Sequence, residues 1–175
     1  ATADSDGSFS ITSSTLSEGS YSLTATATDS ASNTSSSSSA LSITVDTTAP
    51  TITGPSGSEA GATTSTKSIN ENGTAINTFE ANETVTWSLN GGADASLFSI
   101  NSSGALSFSS APDYETPGDS DSGNDYVVVV RATDSAGNTS DQTVTVTILD
   151  IADETNPSLS SSSPADNATA VATNS

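Results

Sequence analysis

The sequence predicts an all-β chain of tandem β-sandwiches, and three observations predict it. Apolar residues alternate with Ser and Thr at period two in several short runs, the mark of strands with one buried and one wet face. Turn signals such as Gly91-Gly92 and Asn101-Ser-Ser-Gly104 separate those runs. A hairpin pattern also occurs twice. Tyr21 stands eight residues before Asp29, and Tyr126 eight before Asp134. Residues 27–35 and 132–140 then match at all positions but one, Ser32 against Gly137.

Each copy of the repeat reads as a strand, an Asx-type turn and a returning strand. In the first, Tyr21, Leu23, Ala25 and Ala27 alternate with Ser and Thr, and Leu41, Ile43 and Val45 bring the chain back to Asp46. Phe9 and Ile11 supply one earlier strand. Three strands with so few large side chains do not close a sandwich. Residues 1–50 are therefore expected to be the C-terminal part of a module whose opening strands lie upstream.

Residues 51–66, rich in Gly, Ser and Thr, are expected to be linker. Residues 67–154 hold a full module. Ile69 begins it, followed by Ile76 with Phe79, and then Val85, Trp87 and Leu89. Phe98 and Ile100 pair with Leu106 and Phe108 across the Asn101–Gly104 turn. Tyr126 to Thr133 is the most apolar run, expected to be central, with Val127 to Val130 covered on both faces. Thr143 to Leu149 returns as its hairpin partner. Seven short strands with these turns indicate a sandwich. Residues 155–175, with the turn Pro164-Ala-Asp-Asn167, look like the start of a further module.

Composition narrows the function. Lys67 and Arg131 face 21 acidic residues, for a formal net charge of −19. Such a surface repels nucleic acid and anionic membranes, which excludes both as partners. No run reaches the roughly 18 apolar residues of a membrane span, so no membrane insertion is expected. The absence of Cys and His removes most nucleophile–base pairs and transition-metal sites.

The acids are not scattered. Glu71 sits at the first strand of the full module, Asp113 and Glu115 in a mid-domain loop, and Asp150, Asp153 and Glu154 at the exit of the last strand. In a sandwich these points can meet at one pole. Carboxylates gathered without a basic partner call for a cation, and calcium suits them, taking 6–8 hard oxygen ligands in irregular geometry. Asp134, at the opposite end of the last hairpin and about 25 Å from Asp150 at about 3.3 Å per residue, faces the preceding module and can meet Asp46. The bland alternative is that Asp134 and Asp29 only brace their turns. The loop Asp119-Ser-Asp-Ser-Gly-Asn-Asp125 has alternating acids but lacks the glycine and glutamate of a helix–loop–helix calcium loop, so a solvated loop reads equally well. Trp87 could stack a sugar, but its alternation with Val85 and Leu89 places it in the core.

Residues 67–154 resemble a bacterial cadherin-like domain. Asn70-Glu71-Asn72, Trp87-Ser-Leu, Leu97-Phe-Ser-Ile-Asn101 with Gly104-Ala-Leu, Asp113-Tyr-Glu115, Ala132-Thr-Asp134 and the closing Leu149-Asp150-Ile-Ala-Asp153-Glu154 carry the likeness. Residues 1–50 are similar to the second half of a bacterial Ig-like repeat of giant RTX-type adhesins, through Thr24-Ala-Thr-Ala-Thr-Asp29 and Val45-Asp-Thr-Thr-Ala-Pro50. Residues 155–175 are similar to the start of another Ig-like type. The resemblance implies Greek-key sandwiches in an elongated rod, with Ca2+ at the module junctions. By that analogy Glu71, Asp113, Glu115, Asp150 and Asp153 are ligands at the lower junction. Ala152 and Glu154 stand where the family's linker usually has Asn, and Ala136 where it has a second acid.

The expected function is a calcium-stiffened stalk segment of a secreted or cell-surface bacterial protein, not an enzyme. Its partners would be calcium and neighbouring modules or identical subunits head to tail. Cell-surface glycans or proteins would be met through a tip outside this sequence. Two other readings stay open: a self-assembling surface filament or layer subunit, and a carbohydrate-binding accessory module of a secreted enzyme.

Overall fold

Eleven strands make up the regular structure of the computed structural model, which describes residues 2, 4, 8–55 and 60–152. They are β1 (Gly19–Leu23), β2 (Leu41–Val45), β3 (Ile52–Thr53), β4 (Thr64–Asn70), β5 (Ala75–Thr78), β6 (Glu80–Ala81), β7 (Thr86–Leu89), β8 (Phe98–Ile100), β9 (Ala105–Phe108), β10 (Asp125–Thr133) and β11 (Thr139–Leu149). The described fold is all-β; among the described residues one 3-10 turn, Ala95–Leu97, precedes β8.

Two sheets enclose the core. One has the order β4-β11-β10-β7, with β4 parallel to β11 and the other pairs antiparallel. The other has the order β5-β9-β8, and β3 pairs with β6 alongside. Even-numbered residues of β10 and β11 point inward: Tyr126, Val128, Val130 and Ala132, then Val144, Val146 and Ile148. They meet Ile76, Phe98, Leu106 and Phe108 of the second sheet, with Ile52 and Phe79 from the flank. The rings interlock, Phe98 stacking on Phe108 at 4.5 Å and Tyr126 standing edge-on to Phe108 at 5.1 Å between centroids. Burying a Phe or Val side chain contributes about 1.5–3 kcal/mol, so this cluster is the main stabilising term.

The turns obey their residues. Gly92 has φ 104°, and a Cβ there would lie 2.5 Å from the Val127 carbonyl oxygen, so only glycine lets the chain pass this close to β10. Asn101 Oδ1 accepts N–H groups from Ser103 and Ala105, closing the β8–β9 hairpin in the expected register of Phe98 against Phe108 and Ile100 against Leu106.

Four expectations need correction. Phe9 and Ile11 are exposed and lie in no strand. Val127 and Val129 are only half-buried, because the outer face of β10 is not covered by a further layer. The strand expected from Tyr21 to Ala27 ends at Leu23, since the Ser35 and Ser38 hydroxyls accept the Ala27 and Ala25 N–H groups in place of a β ladder. Finally, 51–66 is not free of regular structure. Ile52 is 2% exposed in the core, and β4 begins at Thr64, in register with Thr143. Its Ser and Thr residues hid that strand, because parallel pairing supplied the order that side-chain polarity did not announce. Gln142, 1% exposed, is satisfied there by Ser65 Oγ, which donates to its Oε1, and by the Ala62 carbonyl.

Candidate metal centres at the two ends of one hairpin

The β10–β11 hairpin sets two poles apart. Asp134 lies in its turn, while Asp150 follows the end of β11. Among the described residues, two groups of three acids gather carboxylate oxygens within 4.8 Å of one another: Glu71, Asp113 and Glu115 at one pole, and Asp46, Glu83 and Asp134 at the other.

At the lower pole β4 and β11 run side by side, with Asn70 opposite Leu149, so Glu71 and Asp150 leave the sheet together. Glu71 is 3% exposed, and its carboxylate fastens three segments. Oε2 accepts the Tyr114 N–H and Oε1 the Ile151 N–H, each at 2.9 Å. Asp113 accepts the Thr116 N–H at 3.0 Å. The Thr116 hydroxyl and then its N–H hold the Asp113 carboxyl below the ordinary value near 3.8. Asp150 is exposed, and its carboxylate is not among the converging three. Asp153 and Glu154 lie outside the described residues.

At the upper pole Asp134 is 7% exposed and wrapped by its own turn. Its Oδ1 accepts the Ala136 and Asn138 N–H groups, and its Oδ2 the Asn138 amide at 2.8 Å. Burial opposes ionisation, but the Asn138 amide and N–H outweigh it and keep the carboxyl below its ordinary value. The same Asn138 amide donates to the Asp46 carbonyl at 3.2 Å, tying the exit of β2 to this turn. Thus the bracing role of Asp134 and its meeting with Asp46 coexist.

Glu83 was missed in the sequence. The signal was the register of β7 on β10: Thr86 faces Thr133, so residues just before Thr86 lie at the Asp134 end. The other carboxylates have other duties. Asp125 accepts the Thr147 hydroxyl at 2.6 Å. Asp141 accepts Nε and Nη2 of Arg131, each at 2.7 Å, in a pair on the outer face of the sheet that removes one of the two bases from either pole. In the 119–125 loop, burial pushes the Asp119 carboxyl up, but the Gly123 N–H and the Asp121 side chain outweigh it; Asp121 is raised in turn by Asp119. Trp87 packs on Phe79, with ring centroids 6.1 Å apart, rather than standing free for a sugar.

Each pole gathers hard, anionic oxygens within 4.8 Å of one another, a donor set that fits calcium better than soft metals. No described helix is long and apolar enough to cross a membrane.

No curated protein sequence matches the chain. Solved structures similar to it include human CDH23 EC21-23, at 22% identity and TM-score 0.48, covering 77% of this chain and 45% of that one. The third cadherin domain of human protocadherin 7 aligns at 22% identity and TM-score 0.45, over 63% of this chain and 94% of its own. Protocadherin gamma B2 extracellular cadherin domains 3–6 align at 19% identity and TM-score 0.42, over 50% of this chain; the chain spans 21% of that structure's length. Residues 1–47 match the family model of the bacterial Ig-like domain.

Proposed function

We propose that this chain is a calcium-stiffened structural segment of an extracellular bacterial stalk. The observation that carries the reading is the gathering of acids from sequence-distant elements at both ends of one hairpin, the upper group taking Asp46 from the segment that follows β2. A joint built of like charges is loose; shared calcium would hold the same oxygens together and fix one module against the next. Physiological salt screens charges beyond about 8 Å, so sodium would relieve the repulsion without supplying the bridge. At the lower end, exposed Tyr114, Leu149 and Ile151 beside Glu71 would be covered by the following module. The β1–β2 hairpin is the closing part of a preceding Ig-like module, whose other strands would cover exposed Leu23 and Leu41. The segment has no catalytic role in this reading: its acids brace turns and poles.

Melting in EDTA and in several millimolar calcium tests it. Extracellular calcium modules bind at about 10⁻⁴–10⁻³ M, and a hundredfold excess over Kd stabilises by about 2.7 kcal/mol. The melting midpoint should rise with calcium, and an unchanged midpoint would end the proposal. Glu71→Ala should lose most of the lower-pole gain. It also strands the Tyr114 and Ile151 N–H groups, costing about 1–3 kcal/mol even without metal. Asp125→Ala, which removes only a hydroxyl contact, should keep the calcium gain.

A further inference from the structure

We infer that the loop 119–124 is a separate divalent-cation site, built from Asp119, Asp121 and Asn124. The loop precedes β10 and carries two positive-φ residues, Ser122 at 60° and Asn124 at 62°, that fold it back on itself. Asp119 is 7% exposed and turned into the loop, its Oδ2 accepting the Gly123 N–H at 2.9 Å. The carboxylate of Asp121 converges on the same hydrogen at 3.2 Å. The Gly123 N–H is thus shared by two carboxylates, and although further backbone N–H groups also favour the Asp119 anion, no cationic side chain does.

The decisive observation is what remains unpaired. Asp119 Oδ1 and Asn124 Oδ1 are buried side-chain oxygens with no hydrogen-bond partner among the described residues. A buried acceptor left bare costs about 1–3 kcal/mol, more when charged. Flipping the Asn124 amide does not help, because its Nδ2 already donates to the Tyr114 carbonyl at 3.0 Å. Both orphans belong to one short loop, so a single occupant that accepts oxygen donors would satisfy both.

A water also donates to such oxygens, but the charge around them favours a cation. Asp94 adds a third negative charge nearby; it is 3% exposed and accepts the Ser120 and Val127 N–H groups. Arg131 is committed to Asp141, and Lys67 lies opposite Val146, two strands away from Tyr126. Three side-chain oxygens with an exposed Asp121 edge leave room for water to complete a shell of six to eight, which suits calcium better than magnesium, whose octahedron is stricter. The site uses none of the acids of either pole. Its function would be to lock the entrance of β10, where Gly118 N–H also donates to the Tyr126 hydroxyl.

The test is a calcium titration of the full chain followed by amide NMR, with Gly123 and Asn124 as reporters. Wild type should show saturable shifts at both, with a midpoint of about 10⁻⁴–10⁻³ M. Glu115→Ala should leave those shifts in place while weakening the lower pole. Asp121→Asn and Asp119→Asn keep size and hydrogen-bonding capacity but remove charge. Each should weaken the loop midpoint by about tenfold or more, since loss of even an outer partner commonly costs that much. Shifts that never saturate, or that persist unchanged in both Asn variants, would overturn the site. So would their disappearance in Glu115→Ala, which would make the loop a passive reporter of the neighbouring pole.

Discussion

The turn at Asp29 and the turn at Asp134 are chemically the same device in different settings. Asp29 Oδ1 accepts the Ala31 and Asn33 N–H groups and its Oδ2 the Asn33 amide at 2.9 Å, and Asp134 makes the corresponding three bonds. Both carboxyls are held below their ordinary value, Asp29 mainly by the Asn33 amide. Yet Asp29 is exposed and, among the described residues, in no acidic group, whereas Asp134 is buried and grouped with Asp46 and Glu83. The motif therefore fixes the turn, and the surroundings decide whether the turn becomes part of an acidic cluster. Those surroundings come from the segment between β6 and β7, which brings Glu83, and from the chain leaving β2, which brings Asp46.

The largest expected effect separates the two turns. Asp134→Ala should abolish the upper-pole share of calcium stabilisation and lower the midpoint markedly, while Asp29→Ala should leave the calcium-dependent gain intact. Paired melts in calcium and EDTA check this, and equal calcium losses would erase the distinction drawn here. Glu83→Ala comes next. It removes one upper carboxylate without touching the turn, so it should weaken calcium binding and leave the EDTA midpoint nearly unchanged, or slightly raised by relief of repulsion.

The single mismatch of the repeat gives a smaller effect. Ser32 has φ 69° and Gly137 has φ 94°, so both copies need the left-handed conformation that only glycine adopts freely. A Cβ at Gly137 meets no atom within 4 Å, which leaves backbone strain as the whole cost. Gly137→Ser should destabilise by about 1–2 kcal/mol, read from denaturant melts. Ser32→Gly should tighten the first turn by up to about that much, seen as slower amide exchange at Asn33.

The smallest effect is the acid response. Because both turn aspartates have depressed folded values, their stabilisation is complete above the ordinary carboxylate value near 3.8 and is lost as pH falls through the lower, folded value. Carboxyl NMR titration should find both below that ordinary value. In Asn33→Ala the Asp29 carboxyl should return toward it.

Much of this was legible in the residues. The alternation from Tyr126 onward, the Asn101 turn and the repeat gave the strands and their partners, because large apolar side chains and Asx turns act locally. Glu71, Asp113 and Glu115 were legible as a group because each sits at a strand exit or a loop of the same end. Asp150 followed the same logic, yet its carboxylate is not in the group: it lies past the end of β11, where no ladder fixes its direction. Ile52 and the Thr64 start of β4 were hidden, because their order comes from partners far along the chain. Glu83 was hidden for the same reason. The orphaned oxygens of Asp119 and Asn124 could not be read at all, since burial of one atom is a property of packing.

The parallel pairing of β4 with β11 has a mechanical consequence. Seven matched residues, from Thr64 opposite Thr143 to Asn70 opposite Leu149, join the sandwich's early strand to its last. A pull that draws the start of β4 and the end of β11 apart acts along the strands, not across them. The bonds of the ladder then share the load at once and must slip together, whereas an antiparallel hairpin pulled at its open end peels one bond at a time. Force applied through these two chain ends meets the sheet in its strongest direction.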